Sequence, residues 1–171
     1  MTEIQRYQVL ESHPGFELRD YAEHILVTKP TPGSMGSAGS NAFRYLAGYI
    51  GGENEQRTQI AMTAPVLQRK SDAGYEVSFV MPHGMQNVPK PLASGMRVEQ
   101  IPSVLMAASR FSGAASDVLF ERKGRQLVDA VRAAGFEVIG EVQYARYNGP
   151  WTPPILRRNE VLVAVARPSS P

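Results

Sequence analysis

The fold is decided by the stretch Phe16-Glu-Leu-Arg-Asp-Tyr-Ala-Glu-His-Ile-Leu-Val-Thr28. Apolar or β-branched residues alternate with polar ones over Phe16–Tyr21 and His24–Thr28, which predicts two consecutive strands. Pro14-Gly15 provides a turn before them, and Lys29-Pro-Thr-Pro-Gly33 ends the second strand. The pattern at Tyr7–Leu10 predicts a further strand before this turn.

A helix is predicted after these strands. Within Asn41–Ile50, apolar side chains recur at i, i+3, i+4 and i+7, namely Phe43, Leu46, Ala47 and Ile50. This spacing places the four side chains on one helix face. Ser40 or Ser37 is the expected N-cap, and Gly51-Gly52 the expected end. Strands are then predicted at Gln59–Leu67 and Tyr75–Met81.

The second half of the chain repeats this order. Strands are predicted at Met96–Ile101 and Val104–Phe111, followed by a helix from Ser116 to Gly135. Two more strands are predicted at Gly140–Tyr147 and Arg158–Val165. Corresponding landmarks lie 80 residues apart: Leu18 and Val98, Ile25 and Leu105, Ile60 and Gly140. The spacing predicts a duplicated strand–strand–helix–strand–strand unit.

One such unit cannot bury both faces of its sheet, because a single helix covers only one face. We therefore expect one domain over residues 1–171, built from pseudo-repeat halves at about 15–82 and 96–166. The expected class is α+β, with antiparallel strands curved into a partly closed barrel and one helix per half. A ligand is expected in the concave seam between the halves.

Composition excludes several kinds of chemistry. The 171 residues include no cysteine, which excludes disulfides, thiolate metal sites and a cysteine nucleophile. The net charge is +2 without a run of like charges, so a dedicated nucleic-acid surface is not expected. No apolar run has the length of a membrane span, and the N-terminal stretch lacks a secretory pattern. A soluble cytoplasmic protein is expected.

No compact catalytic signature is present: GxGxxG, GxxxxGK[ST], HExxH and GxSxG are all missing. Of the three histidines, His13 and His83 lie in predicted turns. His24 lies in a strand, on the face that it shares with Leu26 and Thr28, and has no partner at metal-site spacing. The aromatic residues, including Tyr45, Tyr49 and Trp151, fit either core packing or contact with a flat ligand.

Three segments together carry a family resemblance. They are FELRDY at 16–21, YIGGEN at 49–54 with IAMTAPV at 60–66, and PWTPPILRRNEV at 150–161. In this order and spacing the chain resembles the SOUL family of haem-binding proteins, over about residues 5 to 166. The resemblance implies a distorted antiparallel eight-stranded β-barrel flanked by two helices and made of two similar halves. It also implies a fold similar to that of bacterial effector-binding domains.

The resemblance further implies non-covalent binding of haem in a shallow apolar groove beside the first helix. Mapped on this sequence, the groove is formed by Phe43, Leu46, Ala47 and Ile50, and its rim by the loop Pro150–Leu156 with Trp151. The histidine proposed as axial ligand in the animal SOUL protein falls at Asp20. Asp is a poor ligand for haem iron, so histidine ligation at this position is not carried over.

Other residues of this chain are considered in place of the family's axial histidine and basic residues. The basic residues implicated in related members fall here at Ser40, Gly48 and Pro153. Arg44 or Arg57 is therefore considered as a partner for the haem propionates. His24, Tyr45 and Tyr49 are considered as residues that approach the iron.

The family motifs themselves are expected to be structural. In MTAPV, Met62 and Val66 are expected to pack inward while Pro65 bends or ends the strand. In RRNEV, Arg157 and Arg158 are expected to bind acidic side chains such as Glu160 or Glu17, or carbonyl groups.

The leading hypothesis is a carrier or buffer for haem or a related tetrapyrrole, without covalent chemistry. One alternative is an enzyme that acts on haem or another small hydrophobic substrate with the same scaffold. The other is a module that binds an effector or small molecule and no haem.

Overall fold

The structure is a computed structural model that describes residues 2–114 and 116–168. The chain divides into two compact units: unit 1 contains Met1–Arg6 and Glu23–Pro102, and unit 2 contains Tyr7–Ala22 and Ser103–Pro171. The elements of unit 1 are β1 (Glu3–Ile4), β4 (His24–Thr31), α1 (Met35–Ile50), β5 (Thr63–Ala64), β6 (Val66–Ser71), β7 (Gly74–Val80) and β8 (Arg97–Ile101). Those of unit 2 are β2 (Tyr7–His13), β3 (Phe16–Tyr21), β9 (Val104–Phe111), α2 (Asp117–Ala133), β10 (Glu137–Arg146), a short 3₁₀ helix (Pro154–Leu156) and β11 (Asn159–Ala166).

Unit 1 is an antiparallel sheet covered on one face by α1. Its strand order is β6-β7-β4-β8, and β1 and β5 form a separate parallel pair. Helix α1 contacts β4, β6 and β7. The core that they enclose consists of Val27, Ala42, Leu46, Tyr49, Ile60, Val77, Phe79 and Met81.

Unit 2 has the strand order β2-β3-β9-β11-β10, again antiparallel, with α2 packed on β9, β10 and β11. The buried stripe of α2 consists of Phe120, Gly124, Leu127 and Val131. Gly124 allows close packing, because a Cβ there would lie 3.2 Å from Val142 Cγ1. The side-chain oxygen of Ser116 accepts from the Leu119 amide, as expected for the N-cap of this helix.

The two units repeat one topology. The order β6-β7-β4-β8 of unit 1 recurs as β10-β11-β9-β3 in unit 2, which adds β2 at its edge. The expected α+β class with two helices and antiparallel strands is confirmed. The compact units do not follow the halves read from the sequence, because β3 belongs to unit 2 and β8 to unit 1.

Helix α1 begins earlier than its apolar spacing indicated. It starts at Met35 rather than Asn41, and its N-cap is Ser34 rather than Ser37 or Ser40. The Ser37 amide donates to Ser34 Oγ at 3.3 Å. The glycines in this segment are part of the helix: a Cβ at Gly39 would meet the Gln68 side chain at 3.0 Å, so glycine permits close approach to β6.

The buried face of α1 also differs from the expected one. The spacing predicted that Phe43, Leu46, Ala47 and Ile50 form one apolar face, but among them only Leu46 is fully buried. The buried stripe is Met35, Ala38, Ala42, Leu46 and Tyr49. Small residues bring the helix close to the sheet, and this rotates Phe43 to the side of the contact.

The break in MTAPV occurs where it was expected. Pro65, joined to Ala64 by a cis peptide bond, separates β5 from β6. Met62 and Val66 are half-buried and pack against the core of unit 1. Over residues 2–114 and 116–168, no helix has both the length and the apolar character required to cross a bilayer.

Candidate functional site

One flank of α1 carries apolar side chains that the core does not cover. Phe43, Ala47 and Ile50 are spaced i, i+4 and i+7, so they lie on the same side of the helix. Gly39, one turn before Phe43, faces Gln68 on β6. On the other flank, Tyr45 lies 5.1 Å from Lys29 Nζ on β4. The flank with Phe43 is therefore the one nearer to β6.

Two further apolar residues belong to the segment around β5 and β6: Met62 directly precedes β5, and Val66 begins β6. Val66 is paired with Phe79 across the sheet, and the Phe43 ring meets Phe79 edge-on with centroids 5.4 Å apart. Met62 and Val66 pack against the same core as Ile50 and remain partly exposed. We call this set the α1–β6 shelf: Phe43, Ala47, Ile50, Met62 and Val66.

The shelf offers an apolar surface for one face of a flat ligand. The side chain of Phe43 is 46% exposed although it is aromatic and lies next to a packed core. Aromatic and aliphatic groups at such a surface favour offset contact with another conjugated ring. Met62 adds a polarizable thioether that adapts to irregular apolar shapes. The arrangement is suited to binding by apolar burial.

Two of the expected site residues, one from the groove and one considered for the iron, lie beneath the shelf. Leu46 is fully buried. Tyr49 is also buried, and its hydroxyl donates to the Pro89 carbonyl oxygen at 2.6 Å. Burial raises the pKa of Tyr49 to about 12, so the phenol is neutral near pH 7. Both residues support the shelf from the core side.

The remaining expected residues lie away from the shelf or in the other unit. His24 shares its sheet face with Leu26 and Thr28, whereas Ile25 and Val27 on the opposite face pack with α1. Arg44 lies near the Tyr45 ring, 5.3 Å from its centroid. Trp151 belongs to unit 2 and is 84% exposed.

The shelf lacks the donor atoms that histidine-ligated iron would need. Its five defining residues include no imidazole or phenol, and the Met62 thioether is the only soft donor among them. Thioethers ligate haem iron in some proteins, but usually together with a histidine. Within the described ranges there is also no cluster of three His, Asp or Glu side chains suited to a metal ion.

Sequence reasoning had assigned Met62 and Val66 a purely structural role. Both residues belong to the MTAPV segment, and the pattern alone does not show that they border α1. The signal that was available is their position on either side of Pro65, where a strand is interrupted and side chains are left partly uncovered.

Unit 2 contains a buried polar cluster centred on Glu160. The Arg19 guanidinium donates to both Glu160 oxygens, at 2.7 and 2.9 Å. Arg158 donates to Glu160 Oε2 at 3.0 Å, and the Tyr147 hydroxyl donates to Oε1 at 3.0 Å. Tyr21 accepts a further bond from Arg19 at 2.9 Å. The cluster satisfies a carboxylate that has no exposed surface.

Electrostatics keep this cluster ionised. Burial alone would raise the pKa of Glu160, but the hydrogen bonds and charges of Arg19 and Arg158 outweigh it and lower the pKa. Burial, followed by the nearby Tyr21 and Glu160, raises the pKa of Tyr147. Arg19 also pairs with Glu17 at 3.1 Å, so both arginine charges and both carboxylates are matched. This is an arrangement for structural support.

The RRNEV motif therefore has the structural role that was expected. Arg158 binds Glu160, and Arg157 donates to the carbonyl oxygens of Thr152 and Pro150 at 2.8 and 3.1 Å. Glu17 is bound by Arg19 instead of the motif arginines.

Solved structures with similar folds include bacterial proteins. The EcmrR C-terminal domain aligns with a TM-score of 0.67 and 14% identity, covering 94% of this chain and 98% of that one. In the EcmrR–DNA complex the identity is 13% and the TM-score 0.67; the alignment covers 94% of this chain and 58% of the EcmrR chain. A hydrolase from Listeria innocua aligns with a TM-score of 0.54 and 8% identity, covering 96% and 94% of the two chains. At these identities the similarity shows the fold alone.

No curated protein matches the chain. The family model described as SOUL heme-binding protein matches residues 2–164, nearly the whole chain. The chain therefore belongs to the SOUL heme-binding protein family.

Proposed function

We propose that this protein is a cytoplasmic carrier or buffer that binds haem or a related tetrapyrrole, without covalent bonds, on the α1–β6 shelf. The observation that carries the proposal is the half-exposed Phe43 ring on the flank of α1 that also holds Ile50, together with the partly exposed Met62 and Val66, which pack against the same core as Ile50. Membership of a haem-binding family supports the ligand class.

The driving force would be burial of apolar surface. A tetrapyrrole presents a flat conjugated face, and covering it together with Phe43 and Ile50 removes apolar area from water. Phe79 and Leu46 beneath the shelf keep its floor in place. Because these residues are already packed, the protein loses little conformational entropy on binding.

Iron would contribute little to this mode of binding. Tyr49 donates to a carbonyl, and His24 lies on the other sheet face from the residues that pack with α1. With neither residue at the shelf, the ring provides most of the contact. We therefore expect iron-free protoporphyrin to bind about as tightly as haem.

The location of the site is tested by two variants on opposite flanks of α1. Phe43 and Tyr45 have similar exposures, 46% and 42%, so either can be replaced without opening the core. Phe43→Ser is expected to weaken protoporphyrin binding by about tenfold, the effect of losing roughly 1.4 kcal/mol of contact energy. Tyr45→Ser is expected to bind like the parent protein.

Binding is measured by absorbance titration of each purified variant. If Phe43→Ser and Tyr45→Ser lost the same protoporphyrin affinity, or if Phe43→Ser bound like the parent protein, the site would lie elsewhere. If no tetrapyrrole saturates the parent protein, the haem-free effector-binding module becomes the better account.

A further inference from the structure

Three of the four most exposed large apolar residues in the described part of the chain lie in one short segment of unit 2. Trp151 is 84% exposed, Ile155 is 81% exposed and Leu156 is 67% exposed. We call residues 149–157, which contain all three, the Trp151 loop. Exposing so much apolar surface in so few residues is unfavourable in water, and such patches mark interaction sites.

The exposure occurs in a loop that is held in one conformation. Arg157 donates to the carbonyl oxygens of Thr152 and Pro150, which closes the loop at its base. The Thr152 amide donates to Gly149, and the Gly113 amide donates to the Pro154 carbonyl at 2.9 Å. Prolines at 150, 153 and 154 further restrict the backbone. The apolar side chains are therefore presented on a preformed support.

The same segment is positively charged. Residues 146–158 contain three arginines and no acidic residue. Arg157 is bound to carbonyl groups instead of a carboxylate, whereas Arg158 is paired with Glu160. Arg157 thus places a positive charge at the base of the apolar tip.

We propose that the Trp151 loop docks on the surface of an anionic lipid bilayer. Tryptophan favours the headgroup boundary because its ring is apolar and its N–H is polar. Ile155 and Leu156 would enter the outer acyl region, and Arg157 would face the anionic headgroups. The contact is peripheral and needs no spanning segment. Because the loop is preformed, little conformational entropy is lost on docking.

Charge is the reason for choosing a bilayer as the occupant. A protein partner would need a shaped pocket for each anchor, whereas a lipid surface accepts three neighbouring apolar side chains without fixed complementarity. The positive charge of Arg157, in a segment without acidic residues, matches the negative potential of an anionic leaflet, which adds about 1 kcal/mol for each basic residue near the surface.

The chain contains its own reporter, because Trp151 is its single tryptophan. The full-length protein is mixed with phosphatidylcholine–phosphatidylserine vesicles or with pure phosphatidylcholine vesicles. With the anionic vesicles we expect a blue shift of the emission, protection from acrylamide and co-sedimentation. High salt is expected to weaken this binding, because it screens the charge of Arg157. Neutral vesicles are expected to bind much less.

Paired substitutions test whether the loop itself is responsible. The double variant Ile155→Ser, Leu156→Ser keeps Trp151 and should lose at least about tenfold in vesicle affinity, since two aliphatic side chains no longer insert. The control double variant Val9→Ser, Leu92→Ser changes two exposed apolar residues outside the loop and should bind vesicles like the parent.

Three results would overturn the proposal: no spectral shift with anionic vesicles, an equal loss in the control variant, or a concentration-dependent shift without lipid. The last result would show that a second copy of the chain covers the loop. Protoporphyrin titration of the same variants separates this proposal from the one above, because vesicle docking and tetrapyrrole binding are then measured independently.

Discussion

Glu160 illustrates at the residue scale how a carboxylate remains charged without any exposed surface. Its two oxygens accept bonds from Arg19, Arg158 and Tyr147. Removing the carboxylate takes away the buried partner of Arg158 and leaves Arg19 with Glu17 alone, and breaking such a buried pair typically costs about 3–5 kcal/mol. Glu160→Ala is therefore expected to lower the free energy of unfolding by this amount in urea denaturation.

Glu17→Ala is the matched control, because Glu17 pairs with the same Arg19 but is 44% exposed at its side chain. Partly exposed pairs contribute about 1 kcal/mol or less. If Glu17→Ala and Glu160→Ala lowered the free energy of unfolding by similar amounts, burial would not determine how much each ion pair stabilises the fold.

The pH dependence of stability follows from the lowered pKa of Glu160. A carboxyl with a lower pKa in the folded state stabilises the fold above its unfolded-state pKa, near 4.5, and loses this contribution as the pH falls through the folded-state value. Glu160→Gln removes the titration. The stability difference between parent and variant should therefore be largest near neutral pH and shrink below about pH 4.5. A difference that grows on acidification would contradict this assignment.

The partners of Glu160 were only partly predictable. Arg158 and Glu160 are two residues apart in the predicted strand Arg158–Val165, so their side chains were expected to share a face and to pair. Arg19 is separated from Glu160 by 141 positions and comes next to it through strand pairing, which residue spacing does not reveal.

At the element scale, the start of α1 is testable by single substitutions. Ser34 is the N-cap and accepts from the Ser37 amide, whereas Ser40 lies inside the helix. Ser34→Ala should reduce stability by about 1 kcal/mol, the usual cost of losing an N-cap side chain. Ser40→Ala should be neutral or slightly stabilising, because alanine has the higher helix propensity. Thermal unfolding of both variants measures the difference, and the reverse order would move the helix start to the later position.

The rotation of α1 could not be read from large apolar residues alone. The spacing of Phe43, Leu46, Ala47 and Ile50 is helical, and a helix forms there. Its buried stripe instead includes Ala38 and Ala42, whose small side chains carry little signal in a hydrophobic pattern. Close packing against β6 and β7 determines the face, and this is a tertiary effect.

At the scale of the whole molecule, the order of elements was predictable because each strand and helix has a local pattern. The antiparallel strands and the repeated topology of the two units agree with the predicted order of elements. Membership of the compact units was not predictable in this way. Strand β3 pairs with β9 in unit 2, and β8 pairs with β4 in unit 1. The two strands of each pair lie far apart in the sequence, so a local pattern does not predict that they pair.

The central claim is that the protein binds the tetrapyrrole ring through apolar contact at the α1–β6 shelf. The most direct measurement is a parallel absorbance titration of the purified protein with haem and with iron-free protoporphyrin. We predict saturable, stoichiometric binding of both ligands with similar affinities, because the shelf offers apolar contact and no histidine. Saturable binding of haem alone would show that iron coordination dominates, and non-saturating changes with both ligands would contradict the proposed function.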